Sequence, residues 1–549
     1  MSISQVKNYF LFDEDNYARF ELKQNTLINS SLLPTRYLFY HALQPQFPQQ
    51  IHAVRNHENA LAFALTPARE LYAAVATAAL SDQFYESADT RLVRLRAPVA
   101  RSDPQFVARL AVYTREQLYL RSVPLVLAVE LARIHRGDNL VSRLVARVVR
   151  RADEIPELPA FYAQANGRTG AKFLGRLSKQ MQHGLALAFN KFDAYQLTKY
   201  DRDGTAVRLR DALFLVHPKP RDEAQQAVFD QLVAGTLSVP YTWETELSAT
   251  GQVAYPSPNE QQAVLTRTWE TLVASPRLGY MALLRNLRNL LETSVSVETL
   301  ALACATLADA GQVARARQLP FRFLAAYREV LALEAGAAPP VLAALEAAIG
   351  ASARNLRDFG ADTRVVVACD VSGSMQQPIS PRSKVLLYDV GLVLGMLLQS
   401  RCQHVVTGIF GNTWRRVTLP QGQVLRNVQE LYRREGEVGY ATNGYLVVQD
   451  LRQRREVVDK VMIFTDCQLW DSAGQGNMLA QEWAAYRANV APPARLYLFD
   501  LAGHGTAPLD VRAEHGVALI AGWSDKLFDV LAALETGGGA LTEIEKIEL

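Results

Sequence analysis

The sequence predicts two parts in series, an all-α solenoid of stacked helices followed by a doubly wound α/β domain. From about residue 50 to 350, apolar positions at helical spacing recur in segments separated by short polar turns. Beyond residue 360, short β-branched runs alternate with helical segments. A composition of 49% apolar and 21% charged residues excludes a disordered or fibrous chain. We expect a helical part over 1–355, including an unassigned extension at 1–50, and an α/β part over 356–549.

The helical part has recognisable helix starts. The run Ser102-Asp103-Pro104 supplies an N-cap candidate and a first-turn proline for a helix over 104–115. Residues 123–135 are apolar on most sides, which predicts an inner helix packed between neighbours. A further helix with arginines on its outer face is expected over 140–151. Short turns between such helices indicate stacked antiparallel pairs.

The α/β part shows strands alternating with helices. Apolar strands that alternate with helices indicate a parallel sheet covered on both faces. Helices are expected at 383–400 and 443–455. Strands are expected at 363–369, 404–410, 457–464 and 494–499, with a weaker candidate at 515–520.

Positive charge is concentrated in one segment of a nearly neutral chain. Residues 101–220 contain 20 Lys and Arg against 11 Asp and Glu, while the whole chain carries a net charge of +3. A basic block of this kind is typical of a surface that binds a polyanion. A solvated, arginine-rich helical face is the structural alternative.

Two sets of basic residues are candidates for phosphate contacts. Arg285 and Arg288 have helical i, i+3 spacing, and either face a polyanion or pair with acidic neighbours. The other set has i, i+4, i+7 and i+11 spacing, which predicts one helix face aligned with successive phosphates. It consists of Lys172, Arg176, Lys179 and His183.

A set of oxygen donors follows two strands of the α/β part. In open α/β sheets, ligands bind at the carboxyl edge, and hard divalent cations prefer oxygen ligands. The pattern resembles the metal-ion-dependent adhesion site of von Willebrand factor A domains, and we expect Mg²⁺ or another divalent cation there. The resemblance implies that two serines and a threonine bind the metal directly and that two aspartates act through water. The five residues are Asp370, Ser372, Ser374, Thr442 and Asp466.

Two carboxylates beside a cation are also compatible with a metal-dependent hydrolase. The chain has no GxxxxGK[ST] loop, and no histidine belongs to the set to act as a base. We therefore favour binding over catalysis and expect no enzymatic activity. The second metal loop reads Tyr-Ala-Thr-Asn, so Asn443 stands where the family that the helical part resembles, named below, often has an aspartate. We expect this amide to lower metal affinity.

Several helical segments resemble the TROVE module of the Ro ribonucleoprotein family, in which a von Willebrand A domain follows. The resemblance implies a ring of HEAT-like repeats whose basic outer surface binds Y-like non-coding RNA. It also implies a central hole for single-stranded ends of misfolded RNA, and an RNA quality-control scaffold that cooperates with an exoribonuclease such as polynucleotide phosphorylase. The matching segments are 103–116, 121–133, 189–200, 210–220, 281–289 and 318–327.

The remaining features concern location and rival functions. The N-terminus lacks the apolar run of a signal peptide, and the apolar stretch 385–398 is short for a membrane helix. Four scattered cysteines suit a reducing compartment. We expect a cytoplasmic protein with neither membrane nor DNA among its partners. The alternative function is a magnesium-dependent adhesion or chaperone scaffold that binds protein and no RNA.

Overall fold

The computed structural model describes most of the chain beyond its first fifty residues. Residues 52–549 form one compact unit. The extension at 1–50 and the expected boundary at 355/356 lie outside the described residues. Those residues are 53–56, 59–77, 88–169, 174–201, 205–238, 241–333, 335–352, 360, 362–379, 383–469, 478–524 and 526–549.

Helices follow one another along the first part of the unit. Each one that the structure describes, here and in the sheet region, is too short or too polar to cross a bilayer. The first group is α1 (Pro67–Thr77), α2 (Ala88–Arg101), α3 (Pro104–Glu116), α4 (Ser122–Ile134), α5 (Leu140–Val148), α6 (Glu154–Ala165), α7 (Lys179–Phe189), α8 (Ala194–Tyr200) and α9 (Leu209–Val216). The second is α10 (Glu223–Ala234), α11 (Trp243–Gln252), α12 (Pro258–Ala274), α13 (Tyr280–Arg285), α14 (Leu287–Glu292), α15 (Val297–Ala308), α16 (Ala310–Ala316), α17 (Pro320–Leu331) and α18 (Ala338–Ser352).

The expected helix signals and stacking are confirmed. The Asp103 carboxylate accepts a hydrogen bond from the Phe106 N–H at 2.9 Å, and Pro104 occupies the first turn of α3. Helix α4 is buried along most of its length and packs against α3 and α6, as an inner helix should. Helix α5 packs on α7, and α15 and α17 pack on α18. Helix α5 ends at Val148, short of the expected Arg151.

A mixed sheet dominates the C-terminal part, in the order β5-β4-β3-β6-β7-β9. The strand order changes direction at β3, which is where ligands bind in open α/β sheets. All neighbours are parallel except the short edge strand β5, which the sequence did not predict. The strands are β3 (Arg364–Asp370), β4 (His404–Phe410), β5 (Trp414–Arg416), β6 (Lys460–Thr465), β7 (Arg495–Asp500) and β9 (Val517–Ala521).

Helices of the C-terminal part lie between and after these strands. Helix α19 carries buried apolar side chains along its length and packs on β3 and β6. The helices are α19 (Leu387–Gln399), α20 (Val424–Arg433), α21 (Tyr445–Arg454), α22 (Met478–Asn489), α23 (Leu527–Glu535) and α24 (Ala540–Glu545).

The beginning of the helical part is attached to the sheet region. Strands β1 (Ala53–Arg55) and β2 (Leu61–Ala64) form a second sheet with β8 (Thr506–Ala507). Helix α1 packs on β9, and its Tyr72 hydroxyl donates to the Ala521 carbonyl at 3.1 Å. Gly503 has φ +64°, and a Cβ there would lie 2.7 Å from the Ala73 carbonyl oxygen, so glycine permits this close approach.

The end of the helical part is attached to the same region. Arg328 of α17 donates two hydrogen bonds, of 2.7 and 2.6 Å, to the fully buried Asp389 of α19. It donates a third to Gln429 of α20, and its guanidinium lies over the Tyr432 ring. Because both ends of the helical part contact the same sheet region, the succession of packed helices returns to the region where it begins. We call this arrangement the closed circuit.

Direct contacts between early and late helices strengthen this closure. The guanidinium of Arg317, which follows α16, lies 4.3 Å from the ring centroid of Tyr119, between α3 and α4. The ammonium of Lys526 lies 5.9 Å from the same ring. Tyr119 therefore joins three parts of the chain that are far apart in sequence.

The Arg328–Asp389 ion pair should be a large contributor to stability. Replacing Asp389 with Ala leaves a half-buried guanidinium without its counter-charge, and we expect a loss of about 3–5 kcal/mol in the free energy of unfolding. Denaturant unfolding followed by circular dichroism measures this loss. The matched control is Glu329→Ala, next to Arg328 on α17. Glu329 pairs with the 85% exposed Lys384 and, at 3.8 Å, with Arg288, and such surface ion pairs are worth about 1 kcal/mol or less. Equal effects of the two substitutions would contradict the assignment.

Candidate metal site and basic surface

The five expected metal-site residues lie in three loops at the carboxyl edge of the sheet. Strands β3 and β6 are adjacent and parallel, with Cys369 paired to Phe464. Asp370 therefore ends one strand beside the Thr465–Asp466 end of the other. The third loop, which contains Thr442, is joined to the first because the Gly373 N–H donates to the Tyr440 carbonyl at 3.0 Å.

Two buried carboxylates define the electrostatics of this edge. Asp370 and Asp466 are 1% and 2% exposed. Burial raises the pKa of Asp370 to about 7, and the negative charge of Asp466 adds to the increase. A cation bound at this edge would lower that pKa, because it favours the ionised form of both carboxylates.

Hydroxyl groups surround Asp370. The Thr465 hydroxyl donates to Asp370 Oδ2 at 2.7 Å, and the Ser372 N–H donates to Oδ1 at 2.9 Å. The Ser372 and Ser374 hydroxyl oxygens are 3.3 Å apart. Ser372 is buried and Ser374 is partly exposed, so the two side chains lie at the boundary between the protein interior and solvent.

The Thr442 loop is fastened to the loop after β4. The Ala441 N–H donates to the Asn412 side-chain oxygen, and the Asn443 N–H donates to the Gly411 carbonyl. The Asn443 side-chain amide donates to the Asn412 carbonyl at 3.2 Å, which an aspartate at this position could not do. Asn443, expected to weaken metal binding, therefore has a structural role in positioning Thr442, which is itself buried.

The donor set fits a hard divalent cation. In the part of the chain that is described, no three His, Cys, Asp or Glu side chains are grouped closely enough to hold a metal by themselves. A cation at this edge would therefore need hydroxyl as well as carboxylate oxygens. Mg²⁺ accepts such ligands and retains several waters, which suits an edge with two buried acids and a partly exposed serine.

Sequence reasoning missed two residues at this edge. Thr465 follows the expected strand 457–464 and was given no role, although its hydroxyl orients Asp370. Asp500 ends β7, next to β6, and is fully buried, with Oδ1 accepting hydrogen bonds from the N–H groups of Ala502 and Gly503. The signal was available, because β3, β6 and β7 all lead into an aspartate at the same edge.

The helix expected to carry four basic residues begins later than predicted. Lys172 lies outside the described residues. Helix α7 starts at Lys179, because the Ser178 hydroxyl accepts a hydrogen bond from the Met181 N–H and caps the helix there. The prediction of one continuous helical face is therefore wrong for Arg176, which precedes the helix in an irregular segment. Lys179 and His183 do share a face of α7.

These three described residues remain close in the chain and accessible. Arg176, Lys179 and His183 are all exposed. The Arg176 carbonyl accepts a hydrogen bond from the Arg168 guanidinium at 2.8 Å, which ties this segment to the end of α6. His183 Nδ1 lies 2.7 Å from the Ser142 hydroxyl at the start of α5.

The second basic pair is divided between two short helices. Arg285 ends α13 and Arg288 lies in α14, with Asn286 between the helices. Both side chains are exposed. Arg288 forms an ion pair of 2.8 Å with Glu292. The sequence left two interpretations open for this pair, contact with a polyanion or pairing with acidic neighbours. For Arg288 the structure shows the pairing with an acidic neighbour.

Many arginines of the basic block are paired with carboxylates, most of which belong to the same block. Arg115 forms a buried ion pair with Glu154 at 2.7 Å, and Arg147 pairs with Glu116 at 2.9 Å. Other arginines of the block that form ion pairs are Arg101, Arg121, Arg133, Arg150 and Arg151. The net surplus of the block is unchanged by these pairs, but its arginines do not form one uniform wall of unpaired charge, as their concentration in the sequence suggested.

Comparison with known families agrees with the helical architecture. The model of the TROVE domain matches residues 71–235 and 221–358, which together make up slightly more than half of the chain. The chain belongs to the TROVE domain family. The TROVE match ends before β3 and includes α4, α7 and the segment that carries Arg285.

Two further comparisons extend this result. A segment of 99 residues is 39% identical to telomerase protein component 1 of Mus musculus and of Rattus norvegicus, covering 18% of this chain and only 3% of each relative. The crystal structure of the Deinococcus radiodurans RO (RSR) protein is similar in fold, with a TM-score of 0.53 and 19% identity over 84% of this chain and 99% of that one. Coverage of 84% reaches beyond the TROVE match, so the likeness in fold includes part of the sheet region.

The site loops depend on one close backbone approach. A Cβ at Gly411 would lie 1.9 Å from the Gly439 carbonyl oxygen, whereas a Cβ at Gly373 would meet its nearest neighbour at 3.9 Å. We expect Gly411→Ala to separate the two loops and to cost about 1–3 kcal/mol of stability. Gly373→Ala, in the same site, should stay within about 0.5 kcal/mol. Thermal unfolding of both variants measures the difference, and equal stabilities would refute this account.

Proposed function

We propose that this protein is a non-enzymatic RNA-binding protein whose helical part contacts RNA phosphates and whose α/β part resembles a von Willebrand factor A domain. Membership of the TROVE domain family and the likeness in fold to a Ro protein support this proposal. The observation that carries it is the exposed group of basic residues Arg176, Lys179 and His183 at and just before the start of α7. Long basic side chains with solvated ends are suited to phosphate contacts that do not depend on sequence.

The finer proposal concerns the kind of RNA. A-form helices have a deep, narrow major groove, so a basic helix surface recognises structured RNA by shape and charge. We propose Y-like non-coding RNA for the outer surface and single-stranded ends of misfolded RNA for a central opening. The closed circuit of helices supports a ring, and Arg285 is the better candidate for the opening because Arg288 is paired with Glu292. An exoribonuclease is the proposed protein partner, in the cytoplasm.

We further propose that the sheet edge holds Mg²⁺. Ser372, Ser374 and Thr442 would ligate it, with Asp370 and Asp466 acting through water. The bound ion would supply a coordination position for an acidic group of a partner. Both Asp370 oxygens already accept hydrogen bonds from Thr465 and Ser372, which supports an orienting role over proton transfer.

RNA affinity should depend on Arg176 and Lys179, which lie just before and at the start of α7, and on the salt concentration. The double substitution Arg176→Glu and Lys179→Glu replaces two attractive charges with repulsive ones. We expect affinity for a structured RNA to fall by at least about tenfold, and the slope of log K against log salt to decrease by about 2. Fluorescence anisotropy over a series of salt concentrations measures both quantities.

A control with the same change in net charge is available on α20. Arg426 and Arg433 are exposed in the α/β part, and reversing both should leave most of the RNA affinity intact. If the two double variants lose affinity equally, the α7 surface is misassigned. If the unaltered protein binds no RNA even at low salt, the proposed function is wrong.

Magnesium should stabilise the folded protein through the sheet edge. At a magnesium concentration about a hundred times the dissociation constant, the stability should rise by about 2.7 kcal/mol. The substitution Asp370→Asn should abolish the rise, because it removes one of the two negative charges. Thermal unfolding with and without Mg²⁺ provides the measurement.

The matched control for the metal site is Asp459→Asn. Asp459 accepts a hydrogen bond from the Arg364 N–H at 2.8 Å, just before β6 and thus at the opposite edge of the same sheet. This variant should retain the response to magnesium. A response that survives Asp370→Asn, or disappears in both variants, would exclude the proposed site.

A magnesium-dependent protein-binding scaffold is the alternative that the metal site alone would favour. It differs in a simple observable, because a scaffold without RNA should purify with a 260/280 nm absorbance ratio typical of protein. Co-purifying RNA, identified by sequencing, supports the RNA-binding function instead.

A further inference from the structure

Helix α5 presents a row of arginines on one side. Arg143 and Arg147 are spaced i, i+4, and Arg150 follows three residues later, just beyond the end of the helix. The other side of α5 is apolar and packs inward. Its buried residues include Leu140, Val141, Leu144, Val145 and Val148.

The last residues of the described chain lie along this row. The Arg109 side chain of α3 donates to the Ile547 carbonyl at 3.2 Å, and Arg143 donates to the Leu549 carbonyl at 3.1 Å. Arg147 donates to the carbonyl of Glu548, the residue between them. The main-chain oxygens of three consecutive residues, 547–549, therefore accept hydrogen bonds from three guanidinium groups.

The arginines of this row are only partly compensated. Arg109 donates to the main-chain carbonyl of Ile547, which carries no charge. Glu116 compensates Arg147 and Arg150 together. At Arg109, a phosphate would exchange a neutral acceptor for an ionised one, and hydrogen bonds to ionised acceptors are about twice as strong.

The row adjoins the basic surface proposed for RNA. The Ser142 hydroxyl, next to Arg143, lies 2.7 Å from His183 Nδ1. The Gln180 side-chain oxygen of α7 accepts hydrogen bonds from the N–H groups of Val141 and Ser142 at 3.0 and 3.3 Å. An RNA bound at the start of α7 would therefore lie beside the α5 row.

The covering segment is held less firmly than the helix before it. Ile544 of α24 is fully buried, and α24 packs on α3. Ile547 and Leu549 are only partly buried, and Glu548 is exposed. Displacing residues 547–549 would therefore leave α24 anchored.

We propose that Arg109, Arg143 and Arg147 form a second site for RNA phosphates, and that residues 547–549 occupy it until RNA displaces them. This inference rests on the proposed RNA-binding function. It deepens that function, because the chain's own main-chain carbonyls act as a competitor for part of the RNA surface.

The test releases the segment in the full chain. The double substitution Ile547→Ser and Leu549→Ser removes the partly buried apolar contacts, and binding of a labelled RNA hairpin is followed by anisotropy. We expect affinity to rise on the order of tenfold, with a salt slope steeper by about 2, because further phosphate contacts become available. Introducing Arg143→Ala into the released and unaltered chains completes a double-mutant cycle. It should reduce affinity more in the released chain.

A second pair of variants avoids the apolar contacts. Glu548→Gln weakens the hold of the segment on Arg147, whereas Glu545→Gln makes the same charge change at an exposed position of α24. Only Glu548→Gln should raise RNA affinity. Equal effects of these two variants, or equal effects of Arg143→Ala in both backgrounds, would overturn the proposal. The proposed function fails separately, if the unaltered chain shows no RNA binding in the same assay.

Discussion

The attachment of a long helical array to one region, the sheet and the helices around it, at both of its ends is the constraint on which the rest of the structure depends. At one end, α1 and β2 join the sheet region through Tyr72 and the β2–β8 pairing. At the other, Arg328 holds the buried Asp389 through two hydrogen bonds. A carboxylate buried without a nearby cation is destabilising, so this ion pair stabilises the contact between α17 and α19.

The metal-site geometry follows from strand adjacency. Because β3 and β6 are parallel neighbours, their terminal carboxylates are brought to the same edge, where burial and mutual repulsion raise the pKa of Asp370. The surrounding hydroxyls orient the carboxylate oxygens without neutralising them. The third loop is set by main-chain contacts at Gly411 and by the Asn443 amide, so residues outside the expected ligand set decide where Thr442 lies.

The basic surface illustrates why a charge count is a weak guide to a binding face. The surplus in residues 101–220 predicts a polyanion site, but many of its arginines hold helices together through carboxylates, as Arg115 does with Glu154. Fewer basic side chains therefore remain for a binding partner, and they lie in small groups. Those at the start of α7 are exposed, and those on α5 are engaged by main-chain carbonyls from the other end of the chain.

The sequence by itself determined the succession of helices and strands and the aspartates and serines of the sheet edge, because hydrophobic period, capping residues and strand-terminal polar residues are local signals. It placed α3, α4 and the main parallel strands close to their observed bounds. It misplaced the start of α7, where the Ser178 cap prevailed over the spacing of basic residues, and it missed β5 and the role of Asp500. Only the tertiary structure decided which arginines are compensated, that both ends of the helical array meet one sheet, and that residues 547–549 cover α5. These are contacts between residues hundreds of positions apart, and no local pattern encodes them.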